Sequence, residues 1–382
     1  MHDGIGDAIY VLLAIWAQAF GLSYAAVGVL RTAYSAALAF LQVPAGMLGE
    51  RMSERALLAG GTLLAGVAFG LLAVAPSYAV VGGLILLAGV GSAVQHPLAS
   101  TIIARSHDGP RRRAALGIYN FAGDVGKMSV AAAMGLGIIA LGWRTSVAIF
   151  GAAVIAMGLA ALVGLSRPPG RRDAPAPIVQ GEGAGGYDWG FTDRKGFALL
   201  SAIHLADSAC RTGLLTFLPF LLIGKGAGAA SIGFGLALVF VGGAAGKLVC
   251  GLLAERAGIL RTIVMTELAT GLAIALVIAA PLAGAMVLLM PLGVALNGTS
   301  SVLYGTVAEF VRDDRQSRSF GLFYTLGSLA GATAPFAFGL VGDASSVPVA
   351  LSLVAVLAVA TVPIALALSP HIAKAVPAVP RP

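Results

Sequence analysis

Three ionisable residues, His204, Asp207 and Arg211, stand at i, i+3 and i+7 in an otherwise apolar run, so a helix brings them to one side. Their types suit proton and anion chemistry. The His204 imidazole titrates near neutral pH and can relay a proton with the Asp207 carboxyl. The planar fork of Arg211 fits a carboxylate or phosphate. An internal Asp207–Arg211 salt bridge is the structural alternative. Asp124 and Lys127, three residues apart, also share a helical face, and Asp7 can join that pair. A carboxylate whose cation is drawn away by a bound anion would pick up a proton, which is a coupling device; a fixed ion pair holding the helix is the alternative. Arg31, beside Tyr34, either contacts substrate, gates the mouth of a cavity or extends to the lipid headgroups. His96, in Gln95-His96-Pro97, can shuttle a proton, bind substrate or simply pack. Asn120, with Tyr119, Asn297 and Tyr304, adds polar groups able to line a cavity. Lys247 reads as structural, and Glu267 and Glu309 as gating or solubilising charges near helix ends.

What must position these groups follows from composition. Of 382 residues, 58% are hydrophobic and 11% charged, against about 25% charged in a soluble domain. That leaves too little polar surface for a water-soluble globule and too much apolar surface for disorder. The bilayer is the main solvent. An apolar helix needs about 20 residues to cross about 30 Å of hydrocarbon. Twelve such runs are present, at 4–21, 24–48, 57–75, 78–104, 114–140, 145–165, 196–221, 229–254, 262–281, 284–308, 320–341 and 347–369. Burying an ionised side chain among them costs about 3 kcal/mol, so each intramembrane charge is a candidate functional residue.

The spans divide the chain into an N-terminal six-helix bundle at 1–165, a cytoplasmic linker at 166–195, a C-terminal six-helix bundle at 196–370 and a cytoplasmic tail at 371–382. Eighteen of the 24 Lys and Arg residues fall in alternate loops on one side, only Arg144 and Lys225 on the other, and Arg31, Lys127, Arg211 and Lys247 lie within the spans. This bias places both termini in the cytoplasm. The net charge of +7 therefore reports topology and not nucleic-acid binding. Cys210 and Cys250 lie in apolar runs and read as small hydrophobes. No cleavable signal peptide is visible. The first run starts almost at Met1, which suggests that the protein begins upstream.

The halves repeat each other. Gly46-x-x-x-Glu50-Arg51 after the second run has its copy in Gly251-x-x-x-Glu255-Arg256 after the eighth, and Gly89, Gly117, Gly123 and Gly135 match Gly293, Gly321, Gly327 and Gly339 at an offset of 204. Two six-helix halves with this loop motif resemble the major facilitator superfamily of secondary transporters. Within it, His2-Asp3-Gly4, Leu22-Ser23-Tyr24, Gly28, Leu41-Gln42-x-Pro44-x-Gly46 and Gly91-Ser92-x-x-x-His96-Pro97 are similar to the fosmidomycin-resistance-like exporters. The chain departs from that group at Val130-Ala131, where Gly-Pro is usual in helix 5, and at Lys127, where a small residue is usual.

The resemblance implies an all-α membrane protein of twelve transmembrane helices in two pseudo-symmetric bundles. It also implies a secondary active transporter, not an enzyme, moving a small polar or anionic compound across a bacterial inner membrane by alternating access. Proton-coupled efflux is the expectation, and import or facilitated passage of a small organic acid the alternative. No Walker A sequence occurs. Expected partners are the substrate, protons and lipid, with no cofactor and no metal, in a monomer. Gly46, Glu50, Arg51, Arg55, Gly251, Glu255 and Arg256 are expected to latch conformations, with Gly46, Gly251 and the small residues Gly242–Gly246 allowing close helix contact.

Overall fold

The computed structural model describes residues 4–106, 109–164, 189–312 and 316–375. Twelve α-helices run in order: α1 Gly4–Phe20, α2 Tyr24–Arg51, α3 Glu54–Leu71, α4 Tyr78–Ser92, α5 Gln95–Ser106, α6 Gly109–Gly164, α7 Arg194–Gly224, α8 Ala229–Ala257, α9 Ile259–Ala279, α10 Leu282–Thr306, α11 Gln316–Ala344 and α12 Val347–Ala375. Ten stretches are long and apolar enough to span a bilayer, and α1 is a shorter apolar helix. The fourth run of the sequence is divided into α4 and α5 just ahead of Pro97, whose missing N–H and bulky ring favour a helix start over a helix interior. The fifth and sixth runs together form α6. They meet at Gly142, whose φ of 78° breaks the helix in a region of backbone space that favours glycine. All twelve runs are thus present as helices.

Local chemistry sets the ends. The Ser53 side chain accepts from Ala56 N–H at the start of α3, and Asp193 accepts from Gly196 N–H at 3.0 Å at the start of α7. Helix C-termini leave carbonyls without intrahelical donors, and two cations, Arg144 just past the Gly142 break and Lys225 at the end of α7, fill that need. Arg144 Nη1 donates to Ala73 O at 2.8 Å and Ala75 O at 3.2 Å, beyond α3. Lys225 Nζ donates to Ile278 O at 2.8 Å and Ala280 O at 2.5 Å, at the end of α9. Each cation also meets the negative end of a helix dipole.

The chain forms two compact units, one of Met1–Trp16 with Ala33–Tyr187 and one of Ala17–Thr32 with Asp188–Pro382. In the first, α3 packs on α6 and α4, and Trp16 meets Trp143 edge to face at 6.4 Å. In the second, α8 packs on α10, and α7 on α11 and α12. The sequence repeat is also a packing repeat. A Cβ at Gly89 would lie 2.8 Å from Tyr34 O on α2, and a Cβ at Gly293 would run into Val239 O on α8. Only glycine lets each backbone approach so closely.

The second unit takes in the start of α2. There the carboxylate of Asp343 accepts from Tyr24 N–H at 2.6 Å and Ala25 N–H at 2.8 Å, and the Tyr24 ring packs edge to face on Phe217 and Phe220. The stretch 189–193 also belongs to this unit. Thr192 N–H donates to Phe310 O at 2.9 Å, Arg312 N–H to Gly190 O at 2.9 Å, and Ser319 Oγ to Trp189 O at 2.8 Å.

Candidate functional site

Helix α7 is the axis of the second unit. Its spanning window is 72% buried, against 44% for α9 and 39% for α12, so a polar residue on it faces protein on nearly every side. His204 and Asp207 are buried there, at 1% and 3% exposure, and Arg211 is half-buried. Asp207 Oδ2 accepts from Ser300 Oγ of α10 at 2.8 Å, and the Arg211 charge acts on it directly. The Arg211 guanidinium also bonds the Tyr304 hydroxyl. Asp207 is therefore a carboxylate provided with one hydroxyl donor and one cation, the compensation that a buried charge requires.

His204 is arranged differently. Its ring stacks on Phe323 at 4.1 Å and 12°, and meets Tyr304 edge to face at 5.2 Å. Gly327 closes against Nε2, and neither ring nitrogen has a hydrogen-bond partner among the described residues. The side expected to carry a His204–Asp207 relay thus holds no hydrogen bond between the two. Sharing a helical face fixes where two side chains start, and rotamers with local partners decide where they end.

Glu267 is a correction. The helix end assigned to it from the sequence rests on a start at 262, but α9 begins at Ile259, which moves Glu267 into the third turn. It is buried at 2% exposure and lies against the hydroxyls of Thr361 on α12 and Thr299 on α10. Thr299 Oγ1 in turn donates to Thr266 Oγ1 at 2.7 Å. Glu267 and Ser300 are the site members that the sequence reading did not assign to it. A signal for Glu267 was present in Thr262, Thr266 and Thr270, which line one face of α9 at a spacing of four.

In the first unit the expected Asp124–Lys127 pair forms on α6, with Nζ 3.5 Å from Oδ1 and side-chain exposures of 31% for Lys127 and 14% for Asp124. Gln95 Nε2 donates to the Tyr119 hydroxyl at 3.3 Å. Tyr34 is buried on α2, where a Cβ at Gly6 would lie 3.0 Å from its ring, one residue from Asp7 in the first turn of α1. Asp7 is half-buried, and His96 is exposed at the start of α5. Arg31, on the part of α2 that belongs to the second unit, is half-buried.

The Asn120, Gly46, Glu50 and Arg51 side chains lie outside the described residues. Arg55 is half-buried, and Glu255, Arg256 and Lys247 are exposed. Close packing is not what places glycine at 251, because a Cβ there would meet nothing within 4 Å. The tight contacts of α8 are instead at Gly242, against Met290 O, and Gly246, against Val294 O. Among the described residues no group of three or more His, Cys, Asp and Glu is placed to hold a metal ion.

At the head of α7, Asp193 accepts from Gly196 N–H and is bonded by the His371 imidazole. The backbone bond first, and His371 second, hold its carboxyl below the usual carboxylate range.

Among the described residues twelve helices carry an internal repeat and buried ionisable groups, and comparison with known proteins places the chain in a family. The sequence matches the family described as Major Facilitator Superfamily over residues 3–207 and 198–381. It is 28% identical over 267 residues to an MFS-type efflux pump of Mycolicibacterium smegmatis, covering 66% of this chain and 61% of that protein's length. The fold is similar to a bacterial homologue of the human lysosomal transporter Spinster, at TM-score 0.81, 17% identity and coverage of 99% of this chain and 96% of that one. It is also similar to a point mutant of the nucleoside transporter NupG, at TM-score 0.79, 14% identity and coverage of 96% and 97%. With the family matched along both halves, the chain belongs to the Major Facilitator Superfamily and is a multi-pass integral membrane protein.

Proposed function

We propose that this protein is a proton-coupled exporter that moves a small polar or anionic compound across a bacterial inner membrane by alternating access, with both termini in the cytoplasm. The observation that carries this reading is Asp207, a carboxyl buried at 3% exposure in a spanning helix beside the cation Arg211. A charge kept at that depth against a penalty of about 3 kcal/mol implies work done with it. The efflux pump relative supports the outward direction. Arg211, Lys127 and Arg31, with Tyr34, His96 and Asn120, are the proposed substrate-binding residues. Asp207 and Asp124, with Asp7 and His204, are the proposed proton-carrying set. For efflux driven by an inward proton gradient, substrate and proton exchange at this site: the substrate occupies it with Asp207 ionised, and a proton taken up by the carboxyl from the outer side follows substrate release.

Glu50, Arg51, Arg55, Glu255 and Arg256 act in this scheme as charged latches that set the balance of conformations, with Gly46 and Gly251 in the same loops. Asp343 joins them as the group that caps α2. The test is a resistance and uptake screen over phosphonates, antibiotics and carboxylates in cells that express the chain, followed by flux in proteoliposomes with an imposed pH gradient. Gradient-dependent flux that disappears in Asp207→Asn is expected. Flux indifferent to the gradient sinks proton coupling, and accumulation inside expressing cells reverses the direction.

A further inference from the structure

Glu267 carries the strongest unassigned chemistry in the molecule. It sits within an apolar spanning helix at 2% exposure, and among the described residues no cation forms a salt bridge with it. Its surroundings can be named helix by helix. From α10 comes the Thr299 hydroxyl and from α12 the Thr361 hydroxyl. On α8, the charged residues Lys247, Glu255 and Arg256 are exposed. The only described titratable group of α12 outside this contact is His371, which is bonded to Asp193. From α7, Asp207 and Cys210 are within electrostatic reach.

Burial without a cation, and hydroxyls with acceptors of their own, bear on the state of Glu267. A hydroxyl has one proton to give. Thr361 Oγ1 donates its proton to Ala358 O at 2.6 Å. Thr299 Oγ1 donates to Thr266 Oγ1 at 2.7 Å, and the Thr266 proton is shared by the carbonyls of Thr262 and Ile263 at 2.9 and 3.0 Å. Each hydroxyl that touches Glu267 thus has another acceptor, and neither is committed to holding a carboxylate there. An ionised carboxylate at 2% exposure, with no cation in a salt bridge to it and Oε1 without a partner among the described residues, is costly, and a proton on the carboxyl removes that cost. Glu267 Oε1 and Thr270 Oγ1, one turn on, are both buried and have no partner among the described residues. Asp207 shows the opposite polarity: it receives the Ser300 proton and has Arg211 beside it.

We propose that Glu267 is a proton-binding site inside the second unit, holding a proton on its carboxyl in the conformation described while Asp207 carries the charge. Its part in transport rests on the proton-coupled reading above; the site itself does not. The full chain in lipid nanodiscs, with infrared spectroscopy in H2O and D2O, tests it. A protonated carboxyl gives a carbonyl stretch above the amide band that shifts down on deuteration. At neutral pH that band is expected in the wild type and in Asp207→Asn, and is expected to be missing from Glu267→Gln, whose amide keeps an N–H donor for Thr361. A wild type without the band, or a band that survives Glu267→Gln, overturns the proposal. If Glu267→Gln does not fold, Thr361→Val serves instead. Loss of the acceptor should move the band to higher frequency, and an unmoved band counts against the site. Replacing choline chloride by sodium chloride at fixed ionic strength should leave the band in place, and its loss would make this a sodium site. A band with the expected behaviour in a protein whose flux ignores the pH gradient supports the proton site and removes proton coupling.

Discussion

The two units each hold a pair of opposite charges within an apolar helix, and the pairs are built to different standards. Asp124 and Lys127 of α6 meet with Nζ 3.5 Å from Oδ1, and Lys127 is 31% exposed. Asp207 of α7 is buried, receives a 2.8 Å bond from Ser300 and feels Arg211, which is itself tied to Tyr304. A half-exposed pair is screened and exchanges easily with a ligand or water. A buried one is held by partners on a second helix, and removal of one member strands the other. The first pair therefore changes partners more readily, and the second holds its charge until a ligand or proton engages it directly.

The largest effect is expected where that difference is broken outright. Asp207→Ala strands Arg211 and Ser300 and should lower the unfolding free energy by about 3–5 kcal/mol. Asp207→Asn keeps the shape and should retain most of the stability while gradient-driven flux is lost. Thermal unfolding and proteoliposome flux on the two variants separate the roles, and normal flux in Asp207→Asn would dissolve the proposed distinction between the units. Next come the glycines that pack the units. Gly293→Ala drives a methyl into Val239 O, whereas the same change at Gly89 meets Tyr34 O and the Ala37 Cβ at 2.8 Å. Overpacking of about 1–3 kcal/mol is expected at both, larger at 293. Equal and negligible losses would mean that the repeat in sequence is not a repeat in packing.

These glycines were legible before the structure, because a helix contact that needs no side chain leaves a spaced pattern in both halves. The helices were legible for a related reason: each had to be apolar along its own length. Partners across the fold left no such trace. Asp343, in the last turn of α11, has nothing in its neighbourhood in the sequence to mark a role, yet its carboxylate serves N–H groups 318 and 319 positions away. His204 lies one turn from Asp207 on α7, but its ring is captured by Phe323 and Tyr304, which no spacing within α7 reveals. Glu267 was misplaced because three residues of α9 were left out of the run, and its threonine ladder makes it a core residue of the site.

A smaller effect is expected at Asp193, which begins the helix that carries the buried pair. Its carboxyl is held below the usual range by Gly196 N–H and then His371. A group whose folded value is depressed stabilises the fold above its unfolded value, near about 3.9, and loses that contribution as pH falls through the folded value. Asp193→Ala should therefore cost about 1 kcal/mol at neutral pH. The gap to the wild type should close in acid below about 3.9. Thermal unfolding of both proteins across that range checks the sign, and a gap that widens in acid would contradict it.

The smallest change in stability is expected at Lys127. Its 3.5 Å pairing with Asp124 is long and partly solvated, and pairs of this kind contribute about 0–1 kcal/mol. Lys127→Met should then leave thermal unfolding nearly unchanged at ordinary salt, while Arg211→Met, which removes the cation beside a buried carboxylate, should lower it several-fold more. Raising ionic strength separates the two further, since screening weakens an exposed pair much more than a buried one. If Lys127→Met were as destabilising as Arg211→Met, and as insensitive to salt, the first pair would be a structural lock like the second, and the proposed ligand exchange would have to pass to another residue of the first unit.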